Sequence, residues 1–343
     1  MNRITELDEY VVRPEMAIRQ VLERFNVLKH PCQVIIDEAG RPVGAVTDGD
    51  ARRAILRGVN IDDPVSQCMN RNPMIGHADD DRERSRLLEK LPFVPVVDES
   101  GVLTAIDFPS LPGQGIKSAL VMAGGAGTRL GELTKTTPKP LLPVGGRPIL
   151  EHILEKLEAA HVNALYISIL YLGHLIEDYI KQRRGDVPVK LLIESDPLGT
   201  AGALALLPER LTQPILVING DILTNTNLEA LDAFHRKHSY DATIAVAQYP
   251  VQIPFGVVKH DQDGNFLEVE EKPEMTHFVA AGIYYLSPEI VNLVTPGTPV
   301  DMPTLLDQAR HIGLRVGLFP ILEYWTDVGA PHDLDTANQY HSN

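Results

Sequence analysis

Cysteine, aromatic residues and basic residues are all scarce in this chain. Its 343 residues include two cysteines, Cys32 and Cys68, a single tryptophan and only 6% aromatic residues in total. Two cysteines are too few for a disulfide framework, and they form no C-x-x-C site. We therefore expect both to be small core residues of a protein in a reducing compartment.

Acidic residues outnumber basic ones, and the formal net charge is -15. Such a charge argues against a surface for nucleic acid or a polyanionic membrane, although a nucleotide needs only a local cationic site. No apolar run approaches the roughly 18–20 residues of a membrane span, and the first residues contain no apolar core of a signal peptide. We expect a cytoplasmic protein with no nucleic-acid and no membrane partner.

The segment that stands out is Leu120–Leu130, LVMAGGAGTRL. An apolar run typical of a buried strand leads into three glycines within four residues and then an arginine. Glycines allow close backbone approach, successive N–H groups form a nest for anions, and arginine matches phosphate. The spacing fits neither a Walker A loop nor a G-x-G-x-x-G fingerprint. It predicts a phosphate-binding loop made of Ala123, Gly124, Gly125, Gly127, Thr128 and Arg129.

A second cation follows ten residues after Arg129. Lys139 lies between Pro138 and Pro140 in TTPKPLLPV, where the prolines fix the local backbone. A surface lysine is rarely held so rigidly. Two cations on one stiff segment therefore predict a polyphosphate ligand.

AGGAGTRL followed by PKPLLPV resembles the signature of the sugar-1-phosphate nucleotidylyltransferases. Further motifs follow in the order of that family and extend the resemblance over about residues 117–335: LVINGD with Asp221, VEEKP with Glu271 and Lys272, AGIYYLSP, and YWTDVG with Asp327. Five motifs in order are far more specific than any one of them.

This resemblance implies attack of a sugar-1-phosphate oxygen on the α-phosphorus of a nucleoside triphosphate, with pyrophosphate leaving. It implies that Asp221 and Asp327 hold Mg²⁺, which Mn²⁺ could replace. The implied catalytic residues are Arg129, Lys139, Asp221 and Lys272. The implied nucleotide-binding residues are the loop residues from Ala123 to Thr128 named above, with Gly199 and Thr200. The implied sugar-phosphate-binding residues are Gly256, Glu271, Lys272 and Gly282.

The segment PLGTAGAL resembles family members that use GTP, so we expect guanylyl transfer for surface glycan synthesis, with glucosamine-1-phosphate or mannose-1-phosphate as acceptor. UTP or dTTP as donor remains an alternative. A catalytically silent sensor of nucleotide-sugars, acting as a regulatory subunit, is another. The sensor interpretation predicts that a metal aspartate or a loop cation is lost. This chain retains all four such residues, Arg129, Lys139, Asp221 and Asp327.

Each of these residues also has a purely structural interpretation. Asp221 could be a turn residue in N-G-D, and Asp327 a loop cap. Arg129 could be an ordinary surface arginine. Lys272 could belong to a solvated E-E-K cluster, and on local grounds the two readings of Lys272 are equally good.

The N-terminal third contains a weak internal repeat. CQVIIDEAGRPVGAVTDGD and FVPVVDESGVLTAIDF each read as two apolar strands joined by a hairpin turn, and helix-like stretches precede them at Met16–Leu28 and Arg82–Leu91. This part resembles a pair of CBS domains. The resemblance implies an adenine-nucleotide site at Thr47 and Asp50 and a homo-oligomer. The same two residues could simply cap a helix over Ala51–Arg57.

The second copy departs from the ligand pattern, with Asp107 and Ser110 opposite Thr47 and Asp50. We expect tandem CBS domains over residues 1–112 (about 1–60 and 61–112), a linker at 113–116, and a catalytic domain over 117–343.

The predicted fold class is α/β: a Rossmann-like mixed sheet preceded by a CBS pair, or Bateman-type module. Strands are predicted at 117–123, 164–169, 189–194, 215–219, 242–247, 256–259 and 278–286. Helices are predicted at 148–160, 173–184, 200–207 and 227–238. Ligands of such sheets lie at the carboxyl ends of strands, where the glycine loop and Asp221 both fall.

Overall fold

The computed structural model describes residues 2–25, 27–28, 30–109 and 115–341, and the chain divides into two compact units, Met1–Gln114 and Gly115–Asn343. Residues 113 and 114 of the predicted linker, and Ser110, lie outside the described residues. No helix in the described ranges is long and apolar enough to cross a membrane.

In its described part, the first unit contains two copies of a strand–helix–hairpin pattern. Its strands are β1 (Asn2–Ile4), β2 (Val11–Val12), β3 (Cys32–Ile36), β4 (Pro42–Thr47), β5 (Gly76–His77), β6 (Val94–Val97) and β7 (Leu103–Phe108). Its helices are α1 (Ile18–Phe25), α2 (Asp48–Leu56) and α3 (Asp81–Leu88).

The predicted hairpins are confirmed, because β3 pairs antiparallel with β4 and β6 with β7. The strands form two sheets, in the orders β2-β3-β4 and β1-β7-β6-β5. Strand β1 therefore precedes the first copy in sequence but pairs with the second, from Asn2 opposite Phe108 to Ile4 opposite Ile106. Both cysteines are buried and unpaired with each other, as predicted.

The second unit alternates strands and helices, which is the pattern of an α/β domain. Its strands are β8 (Ser118–Met122), β9 (Pro143–Val144), β10 (Arg147–Pro148), β11 (Ala164–Ile169), β12 (Val189–Ile193), β13 (Ile215–Asn219), β14 (Ile222–Thr224), β15 (Ala242–Gln252), β16 (Val257–His260), β17 (Phe266–Glu270), β18 (Glu274–Leu286), β19 (Val316–Ile321) and β20 (Trp325–Asp327). Its α-helices are α4 (Ile149–Ala159), α5 (Gly173–Gln182), α6 (Gly199–Gly202), α7 (Leu228–His238), α8 (Pro288–Val291), α9 (Met302–His311) and α10 (Pro331–His341).

Seven of these strands form one mixed sheet, in the order β12-β11-β8-β13-β18-β15-β19. Strands β12, β11, β8 and β13 are parallel, whereas β18 runs antiparallel to both of its neighbours. Side chains of β8 alternate between two buried clusters: Ala119 and Val121 pack with α4 and α7, and Leu120 packs with α8 and α9. Both faces of the sheet are thus covered, and the ends of its strands are left for ligands.

Strands β15 and β18 extend beyond this sheet. Their outer halves pair with each other, from Gln248 opposite Phe278 to Gln252 opposite Glu274, and the β16–β17 hairpin lies between them in sequence. Almost every residue from Gln248 to Ala280 is exposed. We call this segment the arm.

The predicted strands and helices of the second unit are present, most of them with shifted ends, with one exception. The predicted helix over 200–207 is the short helix α6 followed by a 3-10 turn over Ala203–Leu206. The elements that were not predicted from the sequence are helices α8, α9 and α10 and strands β9, β10, β14, β17, β19 and β20. Strand β19 contains Gly317 and Pro320, which obscure a strand pattern, and Pro320 is tolerated because β19 is an edge strand.

Candidate active site

The glycine loop follows β8, which lies in the interior of the sheet between β11 and β13. Ala123 is buried, and Gly127 adopts a left-handed conformation (φ +62°) that a side chain would strain. A Cβ at Gly127 would lie 3.0 Å from Thr134 Cγ2 and 3.2 Å from Lys139 Cβ. The Thr134 hydroxyl also donates a hydrogen bond to the Gly127 carbonyl at 3.0 Å. The loop is therefore packed directly against the segment that carries Lys139.

Lys139 is buried at the start of a 3-10 turn, and only 8% of the residue is exposed. Pro138 precedes Lys139 in an extended conformation, and its ring fixes φ at this position. The Lys139 ammonium donates a hydrogen bond to Asp221 Oδ2 and lies 3.4 Å from Asp327 Oδ1. Residues separated by up to 188 positions in sequence thus meet around one cation.

The two aspartates are held together by a short strand pair. Asp221 follows β13 through Gly220, and Asp327 ends β20, which pairs with β14 so that Ile222 lies opposite Asp327. The Val328 amide donates to the Asp221 carbonyl at 3.0 Å. Burial and the neighbouring Asp221 carboxylate raise the pKa of Asp327, and the cations of Lys139 and Arg129 oppose this effect.

Arg129 approaches the same site from the glycine loop. A Cβ at Gly329 would lie 3.3 Å from both Nη1 and Nη2 of Arg129, so the guanidinium lies over the glycine two residues after Asp327. Arg129 itself is exposed, which leaves its fork of donors accessible to a ligand.

Asp221 Oδ1 is buried and, among the described residues, has no hydrogen-bond partner. A buried carboxylate oxygen of this kind calls for a cation or a donor. Mg²⁺ prefers one or two carboxylates together with phosphate oxygens and water, and Asp221 and Asp327 provide such a pair. No group of three or more His, Cys, Asp or Glu able to hold a metal occurs in the described ranges. The residues thus fit a cation that takes its remaining ligands from a substrate.

Two further residues at the ends of strands were not singled out from the sequence. Glu194 follows β12 and is 7% exposed; it accepts a hydrogen bond from the Leu198 amide at 3.2 Å, and its Oε1 lies 2.9 Å from the position of a Cβ at Gly124. Asn219 ends β13, and its buried Oδ1 also lacks a hydrogen-bond partner in the described structure. The only signal that the sequence offers for either residue is its position at the end of an apolar run.

Gly199 and Thr200 form the turn into α6. The Thr200 amide donates to Asp301 Oδ1 at 3.0 Å, and the Thr200 hydroxyl accepts from the Met302 amide at 2.8 Å. A Cβ at Gly199 would lie 2.7 Å from the Val300 carbonyl oxygen, so this position excludes a side chain. The turn is fixed against the start of α9 and presents its backbone to the site.

These groups surround one cavity of about 370 Å³ at the carboxyl ends of the parallel strands. A nucleotide fits a cavity of this size. The lining includes Ala123, Gly124, Gly125, Gly127, Thr128, Arg129, Lys139, Glu194, Gly199, Thr200, Asn219 and Asp221.

The four predicted sugar-phosphate residues, Gly256, Glu271, Lys272 and Gly282, do not line this cavity in the described structure, and neither does Asp327. A Cβ at Gly256 would lie 2.6 Å from Glu271 Oε2, which puts the two residues in contact within the arm. Lys272 has a positive φ of 49° at the end of the hairpin. Gly282 lies on β18 beside Asn219, since a Cβ at Gly282 would lie 2.9 Å from Asn219 Nδ2.

Thr47 and Asp50 form a complete capping box at the start of α2. The Thr47 hydroxyl and amide both donate to Asp50 Oδ2, at 2.6 and 3.0 Å, and the Asp50 amide donates to Thr47 Oγ1. Arg53 pairs with the other carboxylate oxygen of Asp50. The capping interpretation is therefore confirmed, and the ligand role stays a prediction.

Asp107, which aligns with Thr47 in the second copy, has a different environment. It is fully buried and pairs with Arg3 Nε at 2.7 Å and with Arg84 Nε at 2.8 Å. Burial would raise the pKa of Asp107, but the two guanidinium groups outweigh this and lower it. Asp107 acts here as the centre of a buried ion cluster.

The mixed sheet, with a glycine loop after the interior strand β8, defines the second unit as an α/β domain of the kind that binds nucleotides. Two family models match the chain, "Nucleotidyl transferase" over residues 118–343 and "CBS domain" over residues 3–57. The first match covers well over half of the chain, which therefore belongs to the nucleotidyl transferase family, with a CBS domain at its N-terminus.

Curated relatives match the same region. Mannose-1-phosphate guanylyltransferase catalytic subunit beta of Drosophila pseudoobscura pseudoobscura is 32% identical over 229 residues, covering 64% of this chain and 60% of that protein. The bifunctional protein GlmU of Methanocaldococcus jannaschii is 33% identical over 228 residues, covering 65% and 53%. The chain thus spans between half and two thirds of the length of these relatives.

Solved structures resemble the second unit as well. The crystal structure of HddC from Yersinia pseudotuberculosis aligns with a TM-score of 0.52 at 26% identity, covering 66% of this chain and 99% of that chain. The same protein complexed with GMP-PN aligns with a TM-score of 0.51 at 25% identity, covering 66% and 99%.

Proposed function

We propose that this chain is a sugar-1-phosphate guanylyltransferase, which transfers GMP from GTP to a sugar-1-phosphate and releases pyrophosphate. Glucosamine-1-phosphate and mannose-1-phosphate are the acceptors we favour, and the product is a nucleotide-sugar for surface glycans. The observation that carries this proposal is the contact of Lys139 with two aspartates at a cavity lined by the glycine loop.

The reaction needs positioning and charge stabilisation rather than a nucleophilic side chain. A phosphate oxygen of the sugar-1-phosphate forms a bond to the α-phosphorus, while the bond between that phosphorus and the oxygen bridging to the β-phosphate breaks. The electron pair leaves with pyrophosphate. Arg129 and the backbone of the glycine loop would hold the β- and γ-phosphates, and Lys139 would stabilise the charge that develops at the α-phosphorus.

Asp221 and Asp327 would hold Mg²⁺, or Mn²⁺ in its place. The buried, unpartnered Oδ1 of Asp221 supports this assignment. The ion would supply charge neutralisation for phosphate oxygens, which the carboxylates alone would repel. This arrangement argues against the silent sensor, since both aspartates and both cations are in the site.

Glu194 supports guanine as the base. Guanine carries two adjacent N–H donors on its Watson–Crick edge, and a carboxylate can accept from both; uracil and thymine offer a single donor there between two acceptors. The Glu194 carboxylate is buried beside Gly124. A base that lacks two adjacent donors would therefore leave this buried carboxylate short of hydrogen bonds, which costs free energy. The relative complexed with GMP-PN agrees with this choice.

Glu271 and Lys272 on the arm would bind the hydroxyls and the phosphate of the sugar, with Gly256 and Gly282 making room for it. We further propose that residues 1–112 form tandem CBS domains that bind an adenine nucleotide through Thr47 and Asp50, and that the protein is a homo-oligomer.

The test is pyrophosphate release with Mg²⁺ from each of GTP, ATP, UTP, CTP and dTTP against a panel of sugar-1-phosphates. We expect turnover with GTP and one of the two favoured sugars. Asp221→Asn should abolish turnover without changing the circular dichroism spectrum, and Asp196→Asn, an exposed aspartate, is the matched control. Turnover of Asp221→Asn at the wild-type rate would refute the metal assignment. If the folded wild type releases no pyrophosphate with any combination in the panel, the proposed enzymatic activity is refuted.

A further inference from the structure

Asp301 directly precedes helix α9 but does not cap it through its side chain. Its backbone has the extended conformation of an N-cap residue (φ -90°, ψ 150°), yet in the described structure its carboxylate accepts no hydrogen bond from an amide of α9. Aspartate is among the preferred N-cap residues because its carboxylate normally accepts from the second or third amide of the helix. The carboxylate of Asp301 is therefore bonded elsewhere.

The partner of Asp301 is Thr200, in the turn that leads into α6. The Thr200 amide donates to Asp301 Oδ1 at 3.0 Å, and the Thr200 hydroxyl lies 3.4 Å from the same oxygen. In return, the amide of Met302, the first residue of α9, donates to Thr200 Oγ1 at 2.8 Å. These bonds have the reciprocal pattern of a capping box, but they join residues 101 positions apart in sequence.

Backbone contacts join the same two segments. The Val300 amide donates to the Leu198 carbonyl at 2.9 Å, and the Ala201 amide donates to the Val300 carbonyl at 3.0 Å. Between these bonds lies Gly199, which has a positive φ of 76°; a Cβ there would lie 2.8 Å from Asp301 Oδ1. Glycine samples many conformations unless its neighbours are fixed. The conformation of this turn therefore depends on the segment that carries Asp301.

The turn is connected to the end of the cavity where the base would bind. The Leu198 amide donates to Glu194 Oε2 at 3.2 Å, and Glu194 is the carboxylate that accepts from guanine in the proposed function. Gly199 and Thr200 line the same cavity, whereas its described lining does not include Asp301. Asp301 therefore influences the base through the turn and not by touching it.

We infer that Asp301 is a positioning residue for the nucleotide, and this inference rests on the proposed function. Its carboxylate holds the turn at Thr200 in place. Through the Leu198 amide, the turn holds the Glu194 carboxylate at the base. The apparent affinity of a site falls with the fraction of molecules in which the binding arrangement is populated. Loss of the Asp301 carboxylate should therefore weaken GTP binding, whereas the rate at saturating GTP should be kept.

Titration calorimetry of the full chain with GTP and Mg²⁺ tests this inference, without a sugar-1-phosphate so that no turnover occurs. We expect Asp301→Ala to raise the dissociation constant of GTP by about 10-fold or more, the value of one hydrogen bond to a charged group. Asp307→Ala is the matched control, because Asp307 is an exposed aspartate of the same helix that pairs with Arg310 at 2.9 Å. This variant should bind GTP as the wild type does.

Steady-state rates provide a second measurement. In Asp301→Ala the KM for GTP should rise, while kcat and the KM for the sugar-1-phosphate stay at their wild-type values. A general loss of structure would instead change all three parameters.

Two further variants separate positioning of the turn from capping of α9. Asparagine and serine are both good N-cap residues, but only asparagine carries an oxygen at the position of Asp301 Oδ1. We expect Asp301→Asn to bind GTP nearly as the wild type does, and Asp301→Ser to bind it as weakly as Asp301→Ala.

Three results would overturn the inference while leaving the proposed function intact. They are wild-type affinity for GTP in Asp301→Ala, equal affinities of Asp301→Asn and Asp301→Ser, and a fall of kcat together with a rise of both KM values in Asp301→Ala. A folded wild type that binds no GTP would refute the proposed function, and the inference with it.

Discussion

Lys139 is a buried cation whose charge is balanced by two carboxylates. Removing one partner from a buried ion pair leaves an uncompensated charge, which costs more than the pair contributes. The methylene groups of Lys139 also pack against the glycine loop near Gly127. The same side chain therefore stabilises the folded site and, in our proposal, contacts substrate.

We expect Lys139→Met to lower kcat by about 100-fold or more, because a charge that stabilises the transition state is lost. The melting temperature without metal should also fall, since Asp221 and Asp327 then repel each other. Mg²⁺ should raise that temperature more in the variant than in the wild type. The measurements are initial rates of pyrophosphate release and thermal melts with and without Mg²⁺.

Lys135→Met is the control for that experiment, since Lys135 is 65% exposed and pairs only with Glu132 in the described contacts. Exposed pairs contribute little to stability. Equal rates for Lys139→Met and Lys135→Met would contradict the role assigned to Lys139.

Glu194 determines the base in our proposal. Glu194→Gln keeps an oxygen for the Leu198 amide but replaces one acceptor of the guanine donors with a donor. We expect kcat/KM for GTP to fall about 10- to 100-fold, the value of a hydrogen bond to a charged group, with little change for UTP. Glu209→Gln, an exposed change, is the control. An equal loss with GTP and UTP would show that Glu194 only supports the loop.

At this scale the sequence predicts the residues that stand in distinctive local patterns. The glycine loop and the Pro-Lys-Pro segment are of this kind, and the structure brings them together with both aspartates. Glu194 and Asn219 were not identified from the sequence, because a single polar residue at the end of an apolar run has the same pattern whether it faces solvent or a cavity. Only their burial in three dimensions distinguishes the two cases.

Helix α2 begins with a capping box, and loss of this box should lower the free energy of unfolding of the first unit measurably. Asp50→Ala should destabilise the first unit by about 1 kcal/mol, because the Thr47 amide loses its acceptor. The measurement is urea unfolding followed by probes within residues 2–109. Glu38→Ala, exposed in a hairpin turn, should have no effect.

The same variant separates capping from ligand binding. If Thr47 and Asp50 bind an adenine nucleotide, titration calorimetry with AMP and ATP should show weaker binding to Asp50→Ala than to Glu38→Ala. Full-strength binding to Asp50→Ala would locate the nucleotide elsewhere.

Elements with strong periodicity or β-branched runs were predicted well, including β8, β11, β13 and α7. Strand β17 and helix α10 were not, since β17 is exposed along its whole length and α10 is mostly polar. Their formation depends on partners distant in sequence: β17 pairs with β16, and α10 packs near β9 and β20. Local propensity does not report such partners.

The two units should respond differently to acid. His235 in the second unit is 3% exposed, its Nδ1 lies 2.9 Å from the Thr243 hydroxyl, and burial lowers its pKa to about 4. A folded-state pKa below the unfolded value means that stability is full above pH 6.5 and is lost as pH falls towards 4. In the first unit, the pKa of Asp107 is lowered. The stability that its ionised carboxylate contributes is therefore kept until pH falls below about 4.

We therefore expect the second unit to lose stability first, by about 2–3 kcal/mol between pH 7 and 4.5 from His235 alone. Calorimetry at both pH values, with hydrogen exchange to assign each transition, measures this. His235→Gln should flatten the pH dependence, and His174→Gln, an exposed change, should not. A first unit that melts earlier on acidification would contradict the expectation.

The pairing of β1 with β7 has a consequence for synthesis of the chain. Residues 2–4 leave the ribosome about a hundred residues before their partners at residues 106–108. At about 5–20 residues per second, this first strand waits roughly 5–20 seconds with its backbone groups unpaired. The first sheet of the N-terminal unit can close during that time, whereas the second is completed only when both ends of the unit have emerged. The unit therefore matures as a whole rather than one copy after the other.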